Sequence, residues 1–315
     1  VNGEAAALGF DVGGQSVKAV LVSAEGEVLA RASSPTGEQT RIEDLAAAFA
    51  LLRESLAAGV ATARTVGVGI AGVLDRGGAL RGSPHLPRLL GSRIGEDLAA
   101  RLGSPVVVHN DADCAAMGEG WGGAADGRED YLMIAIGTGV GSGLVLRSKL
   151  RAGDSGFGCE FGHMMVVHRG RLCGCGNRGC LEAYVSETAA RALALETATS
   201  LRARIEEQRA EGGGGYSQAL FDLGASGDTE AEEIAGSMVD VLGAAIGSVV
   251  NVLDLTTIVL GGGVAPGVLA RLPRLRVAAG STLFARPIAD LEILAAARGP
   301  LAGAIGAARL GMLAH

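Results

Sequence analysis

The chain runs to 315 residues, 48% apolar but only 3% aromatic, with 51 glycines, five cysteines and a formal net charge of −7. That length exceeds one ordinary hydrophobic core, so two domains are expected, and a core of Ala, Val, Leu and Ile laced with glycine fits an α/β protein with many tight turns. The acidic balance excludes a basic footprint for nucleic acid or for an anionic membrane surface.

The opening VNGEAAALGF lacks the basic region of a secretion signal and enters a strand almost at once, so a cytoplasmic location is expected. From Leu8 to Val22 the chain reads strand, glycine turn (Gly13-Gly14), strand. Residues after the turn are rich in Val and Leu with partial alternation, which suits a strand better than a helix. Ile42, Leu45, Ala46, Phe49, Leu52 and Leu56 then repeat at helical spacing, as do Ile94, Leu98 and Leu102. A buried strand, Val106-Val107-Val108, ends in His109-Asn110-Asp111. Polar residues at a strand end are where open α/β sheets place their chemistry. Asn-Asp there equally suits a helix N-cap.

From Tyr131 to Leu146 the strand–glycine–strand pattern returns, with Gly137-Thr138-Gly139-Val140-Gly141-Ser142-Gly143 at its tip. A P-loop or a dinucleotide fingerprint would run from strand through glycines into a helix. Neither glycine run fits: Gly-Lys-Ser/Thr is missing, and Ser142 breaks Gly-x-Gly-x-x-Gly. A glycine hairpin tip still brings backbone N–H groups close to phosphate oxygens. Two such tips suggest two related halves facing one another; two ordinary tight hairpins are the plain alternative.

His163, Cys173, Cys175 and Cys180 fall in one glycine-hinged stretch, HMMVVHRGRLCGCGNRGCLE, with Glu160 just before it. An imidazole and three thiolates make a closed tetrahedral zinc set, structural because no position is left for water. Gly174, Gly176 and Gly179 let the backbone curl enough for the sulfurs to converge. A reduced, buried cysteine cluster is the alternative. Cys114 and Cys159 read as small apolar residues in a reducing compartment.

Glu211–Ser217, EGGGGYS, reads as a flexible surface connector. A helix over about Ala231–Leu253 carries Ile234, Met238, Val241, Leu242, Ala245, Ile246 and Val249. The apolar run from Val241 to Leu260 is broken by Asn251 and Asp254, which argues against a membrane span. After the strand Thr257–Leu260, Gly261-Gly262-Gly263 turns the chain toward a helix whose first turn suits Pro266. A surface without side chains there can pass under an adenine or a ribose. The last helix carries Leu301, Ile305, Ala308 and Met312.

Taken in order, these pieces resemble the ROK sugar kinases (repressor, open reading frame, kinase) of the actin-like ATPase superfamily, across essentially the whole chain. Asp11-x-Gly13-Gly14-x-x-x-Lys18 is similar to the family's first phosphate loop, and Gly137-Thr138-Gly139-Val140-Gly141-x-Gly143 to its second. Gly69-Ile70-Ala71-Gly72-Val73 looks like its sugar-side turn, and Asn110-Asp111 like its catalytic pair. Glu160-Phe161-Gly162-His163-Met164, with Cys173-Gly174-Cys175-Gly176-Asn177-Arg178-Gly179-Cys180-Leu181-Glu182, is similar to its zinc signature. The resemblance implies an α/β fold of two ribonuclease H-like domains around a central cleft. The smaller would hold residues 1–111 plus 301–315, and the larger 112–300. It implies an ATP-dependent hexose kinase acting on the primary hydroxyl of glucose or a close relative. Gly72, Asn110, Asp111, Glu160, His163 and Glu182 would meet the sugar, with Asp111 as the base. Asp11, Gly13, Gly14, Gln15, Lys18, Gly137, Thr138, Gly139, Gly261, Gly262 and Gly263 would serve ATP and Mg²⁺, Asp11 holding the metal. His163 would ligate zinc through one ring nitrogen and face a sugar hydroxyl with the other. A homodimer or homotetramer is expected by the same analogy.

Two positions depart from the family pattern: Gln15 stands where a threonine is usual, and His85 where an asparagine is frequent. Gln15 bears on the phosphate geometry, and His85 on which hexose fits, unless it is a loop histidine without a ligand role. His109, His168 and His315 read as structural or solvated. Competing functions are a kinase for an amino or N-acetyl hexose (N-acetylglucosamine, N-acetylmannosamine, 3-amino-glucose), a polyphosphate-using kinase, and a non-catalytic ROK sugar sensor. A sensor would carry an N-terminal DNA-binding domain, for which a first strand at Leu8 leaves no room.

Overall fold

The computed structural model describes residues 7–56, 66–197 and 199–314; His315 lies outside the described residues. In chain order come β1 (Ala7–Val12), β2 (Ser16–Val22), β3 (Val28–Pro35), α1 (Ile42–Leu56), β4 (Val66–Ile70), the short β5 (Val73–Leu74) and β6 (Leu80–Gly82), α2 (Ile94–Leu102), β7 (Val106–Asn110) and α3 (Asp111–Glu119). Next are β8 (Tyr131–Ile136), β9 (Val140–Leu146), β10 (Lys149–Leu150), α4 (Glu182–Val185), α5 (Glu187–Glu196), α6 (Thr199–Gly212), α7 (Tyr216–Ala225) and α8 (Thr229–Leu253). Last come β11 (Thr257–Gly261), α9 (Ala265–Leu269), α10 (Leu272–Gly280), β12 (Glu292–Ala295) and α11 (Ala302–Leu313). The α/β class read from the sequence is what the chain adopts.

The chain divides into two units. One takes in the described residues up to Met133, Gly143–Cys159 and the segment from Ala296 on; the other takes in Ile134–Ser142 and Glu160–Ala295. In the first unit a five-stranded sheet runs β3-β2-β1-β4-β7, antiparallel from β3 to β1 and parallel from β1 to β7. Strand alternation sorts its faces. Leu8, Phe10 and Val12 join Leu45, Phe49, Leu52, Ile94 and Leu98 in one core, where the Phe10 and Phe49 rings stack with centroids 3.9 Å apart. Ala7, Gly9 and Asp11 take the opposite face, against α11. That helix, AGAIGAARLGML, is small enough to lie almost on the sheet. A Cβ on Gly67 would stand 1.8 Å from the Ala307 carbonyl oxygen, and one on Gly9 2.0 Å from that of Ala304.

A second five-stranded sheet has the order β10-β9-β8-β11-β12, with β9 and β10 antiparallel and β11 and β12 parallel. The division between the units runs through β8 and β9. In the second unit α8 packs against α4, α7 and α10. Among the described residues it is the one helix long and apolar enough to cross a membrane, yet half of its most apolar window is buried, as in a core helix. Glu211–Ser217 is not a free connector: Glu211 and Gly212 end α6, and Tyr216 and Ser217 open α7. The Glu187 carboxylate explains this, because it accepts the Ser217 N–H at 3.1 Å and the Ser217 hydroxyl, fixing the start of α7.

Candidate functional site

In the first unit the glycine turn between β1 and β2 is closed by Gly13, whose N–H donates to the Ser16 carbonyl at 3.0 Å. Thr36, which sequence reasoning passed over, grips both sides of this tip. Its hydroxyl donates to the Gly13 carbonyl at 2.7 Å and its N–H to the Gln15 carbonyl at 3.0 Å. Gln15 itself is exposed, so its amide is not part of that clamp. Gly14 has no room for a side chain because His85 covers it: a Cβ there would lie 2.6 Å from the His85 Cβ. The structure therefore places His85, exposed on its outer side, on the first hairpin tip.

Asp11 faces Lys18 across β1 and β2, with Nζ 3.8 Å from its carboxylate. The same ammonium donates to the Pro300 carbonyl at 3.1 Å. Burial pushes the Asp11 carboxyl above the ordinary range, while the charge and hydrogen bond of Lys18 pull it back. Asp11 also approaches α11, where a Cβ on Gly303 would sit 3.0 Å from its Cγ. Asn110 and Asp111 lie where β7 passes into α3. Asn110 is the N-cap: its side-chain oxygen accepts the N–H of Ala112 at 2.8 Å and of Asp113 at 3.2 Å. Its amide nitrogen donates to the Gly72 carbonyl at 3.0 Å. Capping thus does not compete with a role in chemistry, since it fixes the start of the helix that presents Asp111. The buried Cys114 thiol is raised well above its usual range, first by burial and then by Asp113, Asp11 and Asp111. Gly69 lies beside Asp11 in the sheet register, and a Cβ on it would stand 3.7 Å from the Asp111 Cα, so Asp11 and Asp111 share one neighbourhood. His109 is shifted down by burial, which keeps its imidazole neutral and in line with a structural role.

In the second unit Gly137, Thr138 and Gly139 form the tip between β8 and β9, where the Gly137 N–H donates to the Gly139 carbonyl at 2.9 Å. The start of α5 braces the tip, Glu187 N–H donating to the Gly137 carbonyl at 2.9 Å and the Thr188 hydroxyl to the Thr138 carbonyl at 2.7 Å. Gly261 ends β11; Gly262 is left-handed at φ +84 and lies against the Ile136 carbonyl, 2.3 Å from a Cβ built there. Above Gly263 the space is open, as a flat ligand surface requires.

His163, Cys173, Cys175 and Cys180 converge, their ligand atoms all within 4.8 Å of one another. The Cys175 and Cys180 sulfurs are 3.8 Å apart, and His163 Nδ1 is 3.7 Å from Cys173 Sγ. A tetrahedron with Zn–S bonds of about 2.3 Å has edges of roughly 3.8 Å, so the donor set and its spacing both suit that ion. The Cys175 turn uses Gly176 and Gly179 at φ +92 and +83, as the curled backbone demands. Glu160 precedes the short turn Phe161–His163, its backbone carbonyl accepting the His163 N–H at 3.0 Å; partial burial raises its carboxyl, His163 opposes the rise and Glu182 adds to it. Glu182 opens α4 and accepts the Val140 N–H at 2.9 Å. Ser142, noted in the sequence only for breaking a glycine pattern, accepts the Phe161 N–H at 3.1 Å and so holds the Glu160–His163 segment. Its place at an inward position of β9 was the signal for that role.

With this geometry in hand, the model of the ROK family matches residues 7–312. The chain belongs to the ROK family. The glucokinase of Streptomyces coelicolor is 33% identical over 313 residues, 96% of each chain. The N-acetylmannosamine kinase of Escherichia fergusonii is 31% identical over 307 residues, covering 96% of this chain and 97% of that one. The crystal structure of a ROK glucokinase from Streptomyces griseus, in complex with glucose and AMPPNP, superposes with a TM-score of 0.80 at 30% identity, over 98% of this chain and 99% of that one. Membership brings with it the two-domain actin-like ATPase fold expected from the sequence.

Proposed function

We propose that this ROK chain is an ATP-dependent hexose kinase that phosphorylates the primary hydroxyl of glucose or a close relative. The observation that carries the reading is Asn110: by capping α3 and holding Gly72, it fixes Asp111 at the helix start beside the sugar-side turn. The glucokinases of S. coelicolor and S. griseus support glucose as the first substrate to try. Phosphoryl transfer passes through a loose transition state, so positioning and charge neutralisation do most of the work. Asp111 accepts the proton of the attacking hydroxyl. Gly72, Asn110, Glu160, His163 and Glu182 pair with sugar hydroxyls. A sugar lacking one of those hydroxyls leaves a buried partner unpaired and is rejected. Gly13, Gly14, Gln15, Lys18 and Gly137–Gly139 serve the phosphates, and Gly261–Gly263 the adenosine.

Asp11 is the residue to hold Mg²⁺, which when bound neutralises phosphate oxygens. Its single carboxylate fits an ion that keeps water and phosphate as its other ligands. His163, Cys173, Cys175 and Cys180 would hold zinc, and His163, with its tautomer fixed by ligation through one ring nitrogen, would face a sugar hydroxyl with the other. A cytoplasmic homodimer or homotetramer belongs to the same reading.

A second reading, a kinase for an amino or N-acetyl hexose, is favoured by the full-length similarity to N-acetylmannosamine kinase. A coupled ADP-release screen over hexoses and aminohexoses, with Asp111→Ala as control, tests both. Turnover of glucose supports the first reading, turnover confined to amino or N-acetyl sugars replaces it with the second, and no turnover with any sugar points to a sensor. Asp111→Ala should lower kcat by about 10²–10⁴-fold, and full activity in that variant removes Asp111 from the role of base.

A further inference from the structure

From the sequence, His85 reads either as a residue that bears on which hexose fits or as a loop histidine without a ligand role. Its surroundings in the first unit point elsewhere. At the first hairpin tip, Thr36 takes up the carbonyls of Gly13 and Gln15, and the Gly13 N–H donates to Ser16. The N–H groups of Gly14 and Gln15 donate to nothing among the described residues, so the tip keeps two adjacent backbone donors for a ligand. His85 lies against them. From a Cβ built on Gly14, the His85 Cβ is 2.6 Å away, Cγ 2.9 Å and Nδ1, the nearer ring nitrogen, 3.4 Å. The imidazole is exposed and enters no hydrogen bond or ion pair among the described residues. The backbone that carries it is well fixed. The Ser83 hydroxyl donates to the Ala71 carbonyl at 2.6 Å and accepts the Leu86 N–H at 3.2 Å, while Leu86 and Leu89 are fully buried. Pro84 and Pro87 stiffen the segment on either side of the ring. Ala71 in turn donates its N–H to the Val12 carbonyl at 3.0 Å, at the end of the strand that leads into the tip.

We propose that His85 is a phosphate-binding residue, whose ring N–H joins the Gly14 and Gln15 amides in receiving the terminal phosphate of the donor nucleotide. Successive backbone N–H groups make a concavity for an anion, and a phosphate seated there still has oxygens free to accept from another donor. An imidazole carries at least one N–H in either protonation state, so it can supply that donor at any working pH. Because Gly14 has no side chain, the ring stands beside the tip without blocking it. The place along the nucleotide follows from the anchoring. His85 rides on a segment tied through Ala71 to the sugar-side turn Gly69–Val73, so it stands on the edge of the tip nearest that turn. The phosphate nearest the sugar is the one transferred, and a ring on that edge meets it rather than the inner phosphates. This assignment rests on the kinase reading and deepens it.

The test is calorimetric titration of the full-length chain with ADP and with AMPPNP, each with Mg²⁺ and without sugar, in the wild type, His85→Ala and His85→Asn. The two nucleotides differ in the terminal phosphoryl group, so the ratio of their dissociation constants isolates it. In His85→Ala, AMPPNP should weaken about tenfold and ADP by no more than about twofold, as expected for one lost hydrogen bond to a charged group. Asparagine carries its amide nitrogen at the same remove from Cβ as Nδ1, so His85→Asn should recover most of the AMPPNP affinity. With a sugar that is turned over, the KM for ATP should rise in His85→Ala by a similar factor while the sugar KM stays put. Both variants should keep the wild-type urea midpoint, since the ring is exposed. Equal weakening of both nucleotides, or no weakening of either, overturns the proposal, and a change confined to the sugar KM returns His85 to the sugar pocket. Failure of the wild type to bind either nucleotide overturns it too, although turnover of a sugar with ATP would leave the kinase reading standing. A chain that turns over no sugar yet loses its preference for AMPPNP in His85→Ala keeps the phosphate contact and overturns only the kinase reading.

Discussion

Asn110 uses its side chain twice, as helix cap and as tether of Gly72, and the two roles can be separated by substitution. Asn110→Ala loses both and should cost about 1 kcal/mol of stability from the cap alone. Asn110→Ser keeps a capping oxygen but has no amide to reach Gly72. It should melt within a few tenths of a kcal/mol of wild type in urea while its sugar KM rises several-fold. If the serine variant is as unstable as the alanine one, the tether rather than the cap holds α3. At this scale the sequence was most legible where chemistry is local. The cluster ligands sit in one short glycine-rich stretch, and their residue types allow few other readings. Thr36 and Ser142 were illegible because a lone hydroxyl carries no periodic signal, and each acts on a carbonyl or amide from a distant part of the chain. Glu119 is the extreme case. It is wholly buried, with its carboxylate accepting the N–H groups of Ala124, Ala297 and Arg298, the last two from the far end of the sequence.

Helices announced themselves by their stripes, and α1, α2 and α8 lie where the apolar spacing put them. Why α11 lies so close to the sheet is not contained in any stripe. It depends on glycines in β1 and β4 meeting alanine carbonyls on a helix more than two hundred positions later. Gly67→Ala should therefore destabilise the first unit by about 1–3 kcal/mol or more, since the added methyl meets backbone that cannot rotate away. A wild-type urea midpoint in that variant would mean α11 can shift without cost. Another element-scale test concerns α8, capped by Asp228, whose oxygen accepts the Ala231 N–H at 3.1 Å. Arg204 and then that backbone bond hold the Asp228 carboxyl below its ordinary value of 3.8. A depressed folded-state pKa gives stability that is complete above the unfolded value and lost as pH falls through the folded one. Asp228→Ala should thus cost about 1 kcal/mol at pH 7, with the gap from wild type closing only below pH 3.8. A gap that persists in strong acid would assign the loss to packing.

Across the whole molecule, the two units carry separate devices for holding themselves together. The first has apolar cores on both faces of its sheet, and its single tryptophan, Trp121, is 7% exposed within the α11-side core. Its carbonyl accepts from Arg298 Nε at 3.1 Å, and the Arg309 guanidinium lies 5.0 Å from its ring centre. The second unit contains all of the His163–Cys173–Cys175–Cys180 cluster, in a loop whose local structure is mostly tight turns and isolated bridges. A ligand that binds only the folded state stabilises it by RT ln(1 + [L]/Kd), about 4 kcal/mol at a thousandfold excess over Kd. That gain belongs to the unit whose unfolding releases the ion. Chelation should accordingly lower the urea midpoint read by far-UV circular dichroism, to which the helices of the second unit contribute most. The midpoint read by Trp121 emission should stay where it was, and the two curves, whatever their overlap in the metal-loaded chain, should separate. If both midpoints fall together after chelation, the units unfold as one cooperative body and the metal supports the entire chain.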